Sequence, residues 1–223
     1  MFKSKLRPIT IPQAEHGKLA GTLALLWGNA QIERPAIDFA SFVMGVGLHD
    51  RGYQENDNFP LLETPDAAWL QITRQGFYMP MSDQSADLIV KLHLKRLTSY
   101  DKTPARQALL AEMEHAIQQQ VDQHQLNGEA FQRIDRITNF CDSLAFDFCF
   151  EKTTQKTIKI FPKNDSNEEL PLRYTIDGGI INVEPWPFSV ESHSGYLVGY
   201  QLATYPTVLD PVIVPYRLEQ SHS

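Results

Sequence analysis

Apolar positions repeat with a helical period up to about residue 150 of the chain and with a period of two beyond it. A first helix is predicted over residues 13–27, with Leu19, Ala20, Leu23, Leu26 and Trp27 on its apolar side and Gly28-Asn29 as its stop. A second is predicted over residues 35–48, with Pro35 in its first turn and a stripe of Ala36, Phe39, Val43 and Val46. Ser82-Asp83 has the character of an N-cap for a helix that reaches residue 100 over Ala86, Ile89, Val90 and Leu97. Thr103-Pro104 restarts a helix to about residue 125, Gln- and Glu-rich near its end, and Asn127-Gly128 breaks it. Ile134, Ile137, Cys141, Leu144 and Phe148 mark a buried helix over residues 129–150.

The remainder is less regular. Residues 6–12 read as a short extended lead-in, and residues 51–81 as a long loop with a short helix at 66–75. Beyond Glu151, five alternating segments read as strands, with Asp177-Gly178-Gly179 as a turn. The expected fold class is α+β: a mainly helical bundle over residues 1–151, with a β-rich extension at 152–223 folded as a small C-terminal antiparallel sheet.

Polar residues intrude on these stripes. His16 shares the face of Leu19 and Leu23. At the end of the second helix, Asp50 continues the stripe and His49 falls on its edge beside Phe42 and Gly45. The small Gly45 and Gly47 allow close approach of another helix or a ligand. His93 lies in mid-stripe between Ile89 and Leu97, and Asp142 lies at the border of the last stripe, on the same face as Asp135. His115 and His124 stand among polar neighbours and read as solvated. Taken singly, each inward residue is as well explained as a hydrogen-bonded core histidine or a solvated helix end. Taken together they need partners, because a buried imidazole or carboxylate is unfavourable until satisfied. The partner is either a shared cation or one another. Imidazole with carboxylate suits Mn, Fe, Ni or Zn, and also Mg, and does not suit a thiolate site. The two cysteines, Cys141 and Cys149, sit on one helix facing different ways and are not expected to pair.

Composition narrows the classes. The 223 residues are 42% hydrophobic and 21% charged, which is ordinary for a globular chain that buries its own core. The net charge is -7, with no basic run, so nucleic acid is not an expected partner. No apolar run approaches the roughly 20 residues that span a bilayer, and the opening residues have no apolar leader core. A cytoplasmic protein is expected, with self-association into a homodimer left open.

The order His16, His49-Asp50, Asp142 resembles the HD-domain superfamily of metal-dependent phosphohydrolases, and its first interval of 33 residues suits two consecutive helices. Within that superfamily the chain is most similar to the DUF3891 family of uncharacterised bacterial proteins. The matching segments are Glu15-His16-Gly17-Lys18-Leu19-Ala20-Gly21 with Trp27-Gly28, Leu48-His49-Asp50-Arg51-Gly52-Tyr53, and Cys141-Asp142-Ser143-Leu144 with Phe148-Cys149. Pro185-Trp186-Pro187-Phe188 matches a late feature of that family.

The resemblance implies a divalent metal ion held by His16, His49, Asp50 and Asp142, and hydrolysis of a small phosphorylated molecule by a metal-activated water. Asp50 would also orient that water. His93 stands where some members carry further histidines, and would serve as a supporting group or a proton donor. Arg51 and Arg96 are the nearest cations able to clamp a phosphate, unless they are surface charges. Tyr53, Trp69 and Phe77 are candidate pocket walls. The alternative expectation is a non-catalytic module of the same build that holds a metal or ligand.

Overall fold

The computed structural model describes residues 1–220. Two short strands come first, β1 (Phe2–Lys3) and β2 (Ile9–Ile11). The helices are α1 (Gln13–Leu26), α2 (Phe39–Gly47), α3 (Asp66–Tyr78), α4 (Gln84–Thr98), α5 (Pro104–His124) and α6 (Gly128–Cys149). Five strands follow: β3 (Thr154–Ile160), β4 (Leu170–Asp177), β5 (Ile180–Glu184), β6 (Ser192–Gln201) and β7 (Pro211–Gln220). No described helix is long and apolar enough to cross a membrane.

Local chemistry sets the helix starts. The Asp83 carboxylate accepts from the Ala86 amide at 2.9 Å, the Asn127 side chain accepts from the Ala130 amide at 3.2 Å, and Pro104 opens α5. The second helix begins later than its apolar pattern predicts. Asp38 accepts from the Ser41 amide at 2.8 Å and caps the helix at Phe39, which leaves Pro35 in the turn before it.

The sheet departs from expectation. Its seven strands run β1-β2-β6-β7-β5-β4-β3, curled into half a barrel, and β5 pairs with β7 in parallel while the other pairings are antiparallel. About 46% of the chain is helical and 21% is in strands. The fold is therefore not a mainly helical bundle with a small C-terminal antiparallel sheet. The lead-in segment enters the sheet as β2, with Ile9 opposite Gln201. Strands of two and three residues are too short to show alternation. The β5–β7 partnership is a long-range pairing, which no local pattern encodes.

The core lies between the helices and one face of this sheet. The α6 stripe of Ile134, Ile137, Cys141, Leu144 and Phe148 is buried throughout. Phe140 of α6 meets Tyr174 of β4 edge-on at 5.9 Å and Trp27 at 5.8 Å, joining the sheet to the end of α1. Both cysteines are buried and unpaired, and His115 and His124 are exposed.

The contact of most consequence is that of α1 with α2. A Cβ placed on Gly17 would stand 2.6 Å from the Gly47 carbonyl oxygen, so the helices touch backbone to backbone one residue from His16 and two from His49. Gly17→Ala gains about 1 kcal/mol of helix propensity. It loses about 3 kcal/mol to overlap with an oxygen that cannot rotate away. The expected net loss of about 2 kcal/mol lowers Tm by about 4–8 °C. Thermal unfolding of the variant at unchanged or higher temperature would refute this contact.

Candidate metal centre

Helix α1 projects His16 inward one turn from its start, and α6 projects Asp142 from the far wall. Helix α2 stops at Gly47, so His49 and Asp50 sit in the turn that follows it. That turn aims both side chains at the same point, which a continued helix would not do, because residues i and i+1 diverge by about 100°.

The donors converge. One ligand atom from each of His16, His49, Asp50 and Asp142 lies within 4.8 Å of the others. The Nε2 atoms of His16 and His49 are 2.8 Å apart. Asp142 Oδ1 is 3.4 Å from each of them. Asp50 Oδ2 is 3.4 Å from His16 Nε2 and 3.7 Å from His49 Nε2. Donors that share an ion at about 2.0–2.2 Å stand roughly 3–3.6 Å from one another in adjacent positions; three of these separations fall at 3.4 Å and the others close to that range, so the set could hold one cation. The His49 Nδ1–H donates to the Val46 carbonyl at 2.6 Å, which leaves the Nε2 lone pair facing the centre, the usual support of a metal-ligating histidine. His16 has no such support. Its Nδ1 is buried without a partner, and its ring is held by Phe2 of β1 at 5.0 Å.

His93 and Arg96 support the carboxylates. Arg96 Nη2 donates to His93 Nδ1 at 2.9 Å, and His93 Nε2–H donates to Asp50 Oδ1 at 3.3 Å. Arg96 is itself anchored by Asp135 at 3.2 Å and Asn139 at 2.8 Å, with Asp142 Oδ2 at 3.8 Å. The guanidinium therefore fixes the His93 tautomer, and the imidazole holds one oxygen of Asp50 while the other faces the centre. Arg51, read from sequence as a phosphate clamp or a surface charge, is a buried strut. It donates to Asp87 at 2.6 Å and to the Gly76 carbonyl at 2.8 Å. Tyr53 is buried beside Asp50, and Phe77 belongs to the core.

The charges are interdependent. Burial pulls the His49 imidazolium down, but the charge of Asp50 and then the hydrogen bond and charge of Asp142 outweigh it and push His49 up to about 9. Burial raises Asp50, and the His49 charge with the His93 hydrogen bond more than reverses this, to about 2. Asp142 is held well below the usual carboxylate range, burial being outweighed by the charge of His93 and hydrogen bonds from His16 and His49. Burial, the His49 cation and Arg96 lower His93 despite the nearby carboxylates. Two carboxylates kept ionised in a buried place call for positive charge there, supplied by a proton on His49 or by a cation.

The three histidines are fully buried, and the Asp50 and Asp142 side chains are 14% and 12% exposed. Asp50 opens on a cleft of about 290 Å³ lined also by Gln13, Gly17, Arg51, Tyr53 and Asp57. Sequence reasoning missed Gln13, the residue one turn before His16 on the same face. A polar residue at the head of an apolar stripe was the available signal. It also missed Asn139 and the pairing of Asp135 with Arg96, which no spacing announces.

A search of curated proteins finds no match, and a search of solved structures finds none. Residues 3–201 match the family model described as "Protein of unknown function (DUF3891)". That match takes in β2, all the helices and every proposed ligand, and so the chain belongs to the DUF3891 family.

Proposed function

We propose that this protein is a metal-dependent hydrolase of a small phosphorylated compound, a phosphomonoester, phosphodiester or nucleotide, with the ligand order of the HD-domain superfamily. The observation that carries the reading is the convergence of His16, His49, Asp50 and Asp142 within 4.8 Å beside an open cleft. A divalent ion held in such a site would supply an acidified water and Lewis-acid polarisation of a phosphoryl group. The chain's own residues provide the rest. His16, His49 and Asp142 would hold the ion. Asp50 would hold it too, and His93 orients Asp50 through Oδ1. Neutral His93 is braced by Arg96, and the burial of the imidazoles keeps bulk water from the ligands.

Elemental analysis of protein purified without added metal is expected to find one divalent ion per chain, or stoichiometric uptake on titration. A panel of phosphomonoesters, phosphodiesters and nucleotides is then expected to show metal-dependent release of phosphate or alcohol. Absence of metal both as purified and after titration would sink the reading. The near-complete burial of the donors favours a second reading, a metal module without turnover, since structural sites are closed and catalytic ones keep an open position. A metal-loaded protein inert to the whole panel would select it.

A further inference from the structure

The cleft onto which Asp50 opens presents carboxylates and, among the described residues, no accessible cation. Asp50 and Asp57 line it with side chains 14% and 17% exposed. Arg51 is the one Lys or Arg among the described residues that lines it. Its side chain is 6% exposed, its Nε and Nη2 donate to the Gly76 carbonyl and to Asp87, and its Nη1 is buried. The Met1 ammonium is also 6% exposed and is held by Asp57 at 2.7 Å and the Phe59 carbonyl at 3.0 Å. Arg96 is turned to Asp135 and Asn139.

The centre adds no net positive charge of its own. The charge of a divalent ion held by Asp50 and Asp142 would be cancelled formally by those two carboxylates, and neutral imidazoles contribute none. A phosphomonoester carries two negative charges above its second pKa, about 6. A phosphodiester carries one. A dianionic phosphoryl group is ordinarily met by an Arg or a Lys, and this cleft has neither to offer. What it offers is an apolar shelf: Ala14 of α1 and Leu48, just after α2, both line it and both are exposed.

Resting on the hydrolase reading, we propose that the substrates of this site are phosphodiesters, singly charged at phosphorus, whose second esterified group packs on Ala14 and Leu48. The oxygen of a water bonds to phosphorus and the bond from phosphorus to the leaving alcohol breaks. One proton of the water passes to that alcohol, and the other is released by the phosphomonoester product above about pH 6. The product gains a charge for which the cleft has no partner, which favours its departure.

The test uses metal-loaded protein and two esters with one leaving group: methyl p-nitrophenyl phosphate, singly charged, and p-nitrophenyl phosphate, doubly charged at about pH 8. Wild type is expected to cleave the diester with a kcat/KM at least about tenfold higher. Ala14→Lys adds a cation to the cleft wall and is expected to lower that preference about 5–50-fold, the worth of one more charge pair in partly wet surroundings. Ala14→Gln, of similar length and neutral, is expected to keep the wild-type preference. Equal cleavage of the two esters by wild type, a preference for the monoester, or the same shift in Ala14→Lys and Ala14→Gln overturns the proposal. If loaded wild type cleaves neither ester, the hydrolase reading has failed, and the charge selection is judged by calorimetric titration of the same two esters. Tighter binding of the diester that Ala14→Lys reverses supports it. Equal binding, tighter binding of the monoester, or no binding overturns it.

Discussion

His49→Ala and Asp142→Ala are each expected to leave a protein that holds no stoichiometric metal and turns over nothing. The two residues come from different elements, yet Asp142 Oδ1 stands 3.4 Å from His49 Nε2, and each faces His16 as well. Losing Asp142 removes one of the two charges that attract a cation. It also strands His49 in a buried place, and breaking a buried pair costs about 3–5 kcal/mol. Losing His49 removes the imidazole best oriented for ligation, since Val46 already fixes its tautomer. Arg96→Met provides the contrast. Arg96 touches His93 at 2.9 Å and acts on Asp50 only through it, so its loss is expected to weaken metal binding by about 10–100-fold without abolishing it. Metal content after dialysis, followed by titration of the stripped proteins, separates the two classes. A His49→Ala or Asp142→Ala protein that stays loaded and active would remove the centre from these residues.

Metal affinity is expected to climb with pH by about tenfold per unit from pH 6.5 to about 9, and to level off above that. The cause is His49, which titrates near 9 in the metal-free site against 6.5 for the free side chain. Through this window the metal-free protein keeps a proton where the ion binds, and loading must release it. The carboxylates contribute no slope here, because Asp50 is held near 2 and Asp142 is also well below its ordinary value. His93 is lowered and is neutral across the window. The same linkage governs the metal-free fold. A raised histidine stabilises it fully below 6.5, and that contribution, up to about 3 kcal/mol, is lost as pH rises through 9. The metal-free protein is therefore expected to lose thermal stability from pH 6.5 to 9 while the loaded protein does not. Titration with metal at several pH values measures the slope. Affinity flat from pH 7 to 9 would show that no proton is displaced.

Much of the helical framework was legible locally. The Asp83 cap, Pro104, the Asn127-Gly128 break and the α6 stripe place three helices nearly where their residues predict them. The faces of His16, His93 and Asp142 follow from the 3.6 period, because a stripe that must be buried carries its polar members inward. The five later strands were legible by alternation and turn residues. Sheet order and the parallel β5–β7 pair were not, because a strand's period states which face it buries and not which neighbour it chooses.

The sequence by itself determined which faces of α1, α4 and α6 turn inward and, through glycines at 45 and 47, where helices can approach closely. Only the tertiary structure decided that His16, His49, Asp50 and Asp142 meet at one point, with Gly17 against Gly47 closing the distance between the first two. It also turned Arg51 and Arg96 from candidate clamps or surface charges into buried struts, and left the Gln13 amide buried and unmatched. The physical reason is range. Propensity, capping and periodicity act over a few residues, whereas a ligand set, an ion pair and an orphaned amide depend on elements dozens of residues apart, brought together by burial that no single segment specifies.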